Sequence, residues 1–190
     1  MKLPRFYPIV DSVAGARAVL DAGAEIVQWR HKGLLTREAF ATAAAIAELC
    51  RDVTFVVNDR ADVAALLGAG LHLGQEDLPP AAARRLVGMI GYSTHNHEQM
   101  RAANEEPVDY HALGPIFATA SKENPDPVVG LEGLREVARL STRPLVAIGG
   151  ITLDSATAVI EAGAQSVAVI GALRGGDMEQ KAREWIRRLR

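Results

Sequence analysis

Two acidic and two basic residues stand where short apolar runs end. Asp59 closes Val56-Val57-Asn58-Asp59-Arg60, and Asp77 follows eighteen residues after it in Leu73-Gly74-Gln75-Glu76-Asp77. Carboxylates at the ends of neighbouring strands can share one hard cation. A few oxygen ligands suit Mg²⁺, which keeps waters and binds substrate phosphates. Arg30 and Lys32 close an earlier run, Gln28-Trp29-Arg30-His31-Lys32. Strand alternation puts Gln28, Arg30 and Lys32 on one face. An inward Arg and Lys are costly unless an anion meets them. The four charges describe a cation-assisted site for a diphosphate. The competing readings are a salt bridge of Arg30 and Lys32 to the acids, and helix capping by Asn58, Asp59 or Asp77.

Further polar residues gather at later strand ends. Ser93-Thr94-His95-Asn96 offers hydroxyls for a phosphate or a helix cap. The segment from Gly114 to Lys122 carries Thr119, Ser121 and Lys122 on a loop able to close over an anion. Gly149 and Gly150 end one strand, and Ile170 and Gly171 end the next. Glycines there let backbone N–H groups approach a phosphate. Two anion sites facing one cavity are expected. Trp29 and His31 read as structural residues turned toward a helical layer, and His72 and His111 as core or rim histidines. His95 and His97 lack a third soft ligand nearby, which argues against a zinc site.

These residues need a scaffold that brings many strand ends together. A helical stretch ending in a glycine, with a strand starting soon after, recurs around Gly23, Gly70 and Gly163. Strands are expected at 6–10, 26–30, 54–58, 71–73, 89–93, 110–113, 145–148 and 166–170. Several are continuous apolar runs, as in a parallel sheet buried on both faces. Amphipathic helices are expected at 36–50, with Thr36 or a neighbour as N-cap, and at 152–162 and 177–189. About eight βα units make a small TIM (β/α)8 barrel of the α/β class, with the chemistry at the C-terminal strand ends. A doubly wound sheet is the alternative, but no Gly-rich nucleotide fingerprint follows the first strand. The 190 residues are expected to form one domain, 1–190, or at most a split one, and 48% apolar content is ample for a core. A net charge of −2 gives no general attraction to nucleic acid or membrane. The single cysteine, Cys50, excludes an intramolecular disulfide and reads as a buried filler. No leader peptide or spanning run is visible, so a cytoplasmic location is expected. Homo-oligomerisation is left open.

Taken together, these segments resemble the thiamine phosphate synthase family over nearly the whole chain, from Tyr7 to about Leu173. The resemblance implies a TIM barrel that joins hydroxymethylpyrimidine diphosphate to hydroxyethylthiazole phosphate and releases diphosphate. It implies that Asp59 and Asp77 hold Mg²⁺, and that Arg30, Lys32, Asn58, Ser93 and Lys122 bind the diphosphate. Gln28 would face the pyrimidine. Thr119, Ser121, Gly150, Ile170 and Gly171, beside Gly149, would hold the thiazole phosphate. The chain departs from the family at Gly33 (usually Asp), Ala118 (Pro), Ala120 (Lys), Ser121 (Thr) and Gly171 (Ser). These changes touch the phosphate grip more than the leaving-group site. The alternatives are a related thiazole tautomerase, in which a His takes the place of Pro115 and no Mg²⁺ is needed, and a non-catalytic thiazole-phosphate binder.

Overall fold

The computed structural model describes residues 1–119 and 126–190. Among them, eight strands run parallel in chain order: β1 (Phe6–Val10), β2 (Ile26–Trp29), β3 (Thr54–Asn58), β4 (Gly70–Leu73), β5 (Ile90–Thr94), β6 (Tyr110–Leu113), β7 (Leu145–Ile148) and β8 (Ser166–Val169). Strand β8 returns to β1, pairing Tyr7 with Ala168, so the sheet closes into a barrel. The helices between them are α1 (Val13–Asp21), α2 (Thr36–Leu49), α3 (Ala61–Leu67), α4 (Pro80–Ala83), α5 (His97–Ala103), α6 (Gly130–Leu140), α7 (Leu153–Glu161) and α8 (Met178–Leu189). The expected small TIM barrel is the observed fold.

Its ends differ slightly from the sequence reading. Strand β2 stops at Trp29 and β8 at Val169, one residue early, although the Arg30 N–H still donates to the Val10 carbonyl at 2.8 Å. Strand β5 begins and ends one residue later than expected. Thr36 is already helical; Leu35 takes the cap position and contributes no side-chain hydrogen bond. Four other helices, α1, α5, α7 and α8, are capped by side chains. Ser12 accepts from the Gly15 N–H, Asn96 from Gln99 and Asp177 from Gln180, while Thr152 and Ser155 form a reciprocal capping box. Each satisfies a helix donor that lacks an intrahelical partner, at about 1 kcal/mol apiece.

Strand alternation divides the core into two layers. Tyr7, Ile9, Ile26, Val56, Tyr110 and Val146 fill the barrel. Val27, Trp29, Val57, Leu71, Leu73 and Ile90 face outward against helix residues such as Ala43, Ile46 and Met100. Burial on both faces is why the strands read as unbroken apolar runs. The ring is sealed where Trp185 of α8 stacks on Phe6, centroids 6.4 Å apart, and Arg5 donates to the Leu189 carbonyl. Because all the strands are parallel, their C-terminal ends share one rim. Among the described residues no helix is long and apolar enough to cross a membrane.

Candidate active site

The C-terminal rim surrounds a cavity of about 780 Å³. Arg30, Lys32, Asn58, Asp59 and Asp77 line the side built by β2, β3 and β4. Asp59 takes a left-handed backbone, φ 62°, a conformation that Asp and Asn tolerate better than most residues. Its N–H donates to the His72 carbonyl at 2.9 Å, which pins it to β4. Asp77 is held by a short turn in which its Oδ2 accepts the Gly74 N–H at 2.6 Å. Neither acid caps a helix: Arg60 stands at the start of α3 and Pro79 at the start of α4, both without a side-chain cap bond. Nor do Arg30 and Lys32 form an ion pair within 4.0 Å of any carboxylate among the described residues.

The two carboxylates instead meet each other. Burial first, then the charge of Asp77 and a hydrogen bond to it, push Asp59 up to about 6, against the pull of Arg30 and Lys32. Two like charges this close repel unless a proton or a cation stands between them. Among the described residues no group of three or more His, Cys, Asp or Glu could hold a metal. Among the described residues the two acids set against each other are Asp59 and Asp77. Such a pair suits Mg²⁺, whose other positions are filled by water and substrate phosphate.

The floor of the cavity is polar in a way the sequence reading missed. Gln28 Nε2 donates to the Tyr7 hydroxyl at 3.1 Å, and the Tyr7 and Tyr110 hydroxyls are 2.7 Å apart. Tyr110 lies 3.0 Å from His72 Nδ1, and His72 Nε2 lies 2.9 Å from Ser93 Oγ. Burial drives the imidazole of His72 down to about 4, so it is neutral near pH 7. His72 is thus a wall of the cavity and the partner of Ser93 as well as a buried residue. His111 is the core histidine expected, bonded to Ser141 Oγ and the Ala103 carbonyl. His31, by contrast, is exposed rather than packed under the helices, because the chain has left β2 two residues before it.

Across the mouth, Thr119, Gly149, Gly150, Ile170 and Gly171 line the opposite wall. The Gly149-Gly150 pair has φ of 97° and 66°. A Cβ on Gly149 would lie 2.7 Å from Pro115 Cα, and one on Gly150 2.5 Å from the Ala118 carbonyl. The loop after β6 rests on these glycines, with Ile116 and Phe117 donating to the Ile148 and Gly149 carbonyls. Loop packing alone thus demands the pair. The Gly150 N–H donates to no acceptor among the described residues and stays open to an anion. Ser121 and Lys122 lie outside the described residues.

A family model described as thiamine monophosphate synthase matches residues 6–173. The chain belongs to this family. It is 47% identical to the thiamine-phosphate synthase of Koribacter versatilis, over 98% of this chain and 96% of the relative. It is 44% identical to that of Moorella thermoacetica, over 92% and 84%. Thiamine phosphate pyrophosphorylase from Pyrococcus furiosus superposes with a TM-score of 0.90 at 34% identity, covering 98% of this chain and 95% of that one. As a member of the thiamine monophosphate synthase family the chain is a transferase acting on small molecules. Within this frame the structure gathers every sequence-selected site residue that it describes around one cavity. The residues missed were Tyr7 and Tyr110. Their signal was parity: each sits at an inward position of its strand, and a phenol inside a small barrel needs a partner for its hydroxyl.

Proposed function

We propose that this cavity joins hydroxymethylpyrimidine diphosphate to hydroxyethylthiazole phosphate, giving thiamine phosphate and diphosphate. The observation that carries the reading is the wall made by β2, β3 and β4. There two cations, an amide and a facing pair of carboxylates converge, and among the described residues neither the cations form salt bridges nor the acids helix caps. Asp59 and Asp77 would hold Mg²⁺, which when bound supplies positive charge to the oxygens of the leaving diphosphate. The fit rests on burial and then the charge of Asp77, which together raise Asp59 and which a divalent cation would offset.

Arg30, Lys32 and Lys122 bring fixed charge to the diphosphate, and Asn58 and Ser93 donate hydrogen bonds to it. Gln28 holds the pyrimidine. The bond between the pyrimidine methylene carbon and the diphosphate oxygen breaks first, and its electron pair leaves with the diphosphate. The thiazole nitrogen then donates its lone pair to the pyrimidine-methyl cation. No protein nucleophile is required. Catalysis consists of stabilising the departing charge in a partly desolvated site and keeping the two rings aligned. Thr119, Ser121, Gly149, Gly150, Ile170 and Gly171 would seat the thiazole phosphate. The Gly150 N–H, which donates to no acceptor among the described residues, supports this. A tautomerase has no use for the paired carboxylates, and a pure thiazole-phosphate binder has none for the diphosphate wall. A cytoplasmic reaction fits the single, unpaired Cys50.

The test is to incubate the purified protein with both substrates, with and without Mg²⁺, and follow thiamine phosphate by mass spectrometry. Mg²⁺-dependent product is expected. No product, with the thiazole phosphate still bound, would overturn the reading in favour of a binder or tautomerase.

A further inference from the structure

The five side chains of the cavity floor form one unbroken line, Gln28–Tyr7–Tyr110–His72–Ser93. All five line the cavity, and the three inner members, Tyr7, Tyr110 and His72, are buried at 1%, 0% and 8% exposure. The line is built, not incidental. Tyr110 crosses to the β5 side over Gly91, where any Cβ would overlap the phenol ring. The rings of Tyr7 and His72 pack on Tyr110 at centroid distances of 6.0 and 5.6 Å.

Each phenol has one proton to give, and a neutral imidazole has one donor and one acceptor. Only two proton orders satisfy all four links and also use both phenol protons. In the first, the Gln28 amide donates to Tyr7, Tyr7 to Tyr110, Tyr110 to His72 Nδ1, and His72 Nε2–H to Ser93. The Ser93 proton and the Gln28 carbonyl are then left for the cavity. In the second, every link reverses. Ser93 donates inward, Tyr7 donates to the Gln28 carbonyl, and the Gln28 NH₂ faces the cavity. Mixed orders strand a phenol proton or leave a link without one, which is costly for groups this buried.

We infer that Tyr7, Tyr110 and His72 are positioning residues that couple the polarity of the two ends of the substrate site. The inference rests on the function proposed above. An ionised diphosphate only accepts hydrogen bonds. At Ser93 it selects the first order and turns the Gln28 carbonyl toward the ring. The ring group that meets Gln28 must then donate, so the site is specific for a pyrimidine carrying an exocyclic amino group. Recognition of the leaving group thereby helps select the ring, through the three residues that link Ser93 to Gln28.

Equilibrium binding tests this without turnover. The probes are a 5-hydroxymethylpyrimidine with a 4-amino group and its 4-methoxy counterpart, which only accepts. Each is titrated by calorimetry with MgCl₂, in the presence and absence of inorganic diphosphate. In the wild type, diphosphate should raise the amino-to-methoxy affinity ratio about fivefold, the worth of one hydrogen bond matched rather than mismatched. Tyr110→Phe and Tyr7→Phe each cut the line while keeping the ring, and in both the ratio should no longer respond to diphosphate. Two variants guard against one failing to fold, which thermal melting would reveal. A response that survives in a folded Phe variant overturns the relay, as does a wild-type ratio indifferent to diphosphate when all ligands bind. If neither diphosphate nor the amino ring binds the wild type, the functional reading itself falls, and the relay's assignment falls with it.

Discussion

Replacing Asp59 by Asn should stabilise the metal-free protein and cripple the enzyme at once. In the folded chain Asp59 is raised from the ordinary 3.8 to about 6, by burial and then by Asp77. A raised carboxylate pKa means that the folded state binds the proton more tightly than the unfolded chain. Stability is therefore fully present below pH about 4 and is lost as pH rises through 6. The full linkage for a change of that size is about 3 kcal/mol. Asp59 is only half-buried, so solvent screening brings the expected cost down to about 1 kcal/mol. Asn carries no charge, can donate to Asp77, and tolerates the left-handed backbone found at this position. The assay is urea denaturation in EDTA. Asp59→Asn should be more stable than wild type by about 1 kcal/mol at pH 7.5, a Tm rise of roughly 2–4 °C. The gain should fall by about half at pH 5 and vanish near pH 4. Millimolar Mg²⁺ should stabilise the wild type by mass action and the variant much less, while the variant's turnover drops more than about tenfold. A variant no more stable than wild type at pH 7.5 in EDTA, or a gain that persists at pH 4, would refute the argument that burial and Asp77 together hold Asp59 above its ordinary range.

Asp77→Ala should lower Mg²⁺-dependent turnover by more than about tenfold; an unchanged steady-state rate would sink the metal assignment. His72 is depressed from 6.5 to about 4 by burial, so the unfolded chain takes its proton first as pH falls. The protein should lose about 3 kcal/mol between pH 6.5 and 4. Denaturation curves measured in the Asp59→Asn background, where the opposing carboxylate effect is absent, should show this loss, and adding His72→Asn should remove most of it. Gly91→Ala places a methyl inside the Tyr110 ring. Overpacking of this kind costs about 1–3 kcal/mol, visible as a lowered urea midpoint, whereas Gly88→Ala, with nothing near the added Cβ, should change stability little.

Much of the site was legible in the sequence because a parallel barrel turns strand order into spatial order. Once Asn58-Asp59 and Asp77 were placed at the ends of adjacent strands, their meeting at one rim followed from topology, as did the parity of Gln28, Arg30 and Lys32. The glycines at 23 and 163 likewise announced their positive φ turns locally, whereas in the repeat around Gly70 the turn falls at Gly68 and Gly70 already belongs to β4. Other features depend on contacts across the barrel, which spacing along the chain does not encode. Tyr7 and Tyr110 are 103 residues apart yet share a hydrogen bond, and Gly91 is small because a phenol from the next strand needs its space. The Gly149-Gly150 pair suggested a phosphate cradle, but its shape is first required by the loop resting on it. Asp59 illustrates the division. Its place at a strand end is local and readable, while its raised pKa exists only because folding removes water and brings Asp77 against it. Periodicity and strand order are properties of the chain and determine where groups go; desolvation, proton order and steric complementarity are properties of the packed interior, and only the tertiary structure decides them.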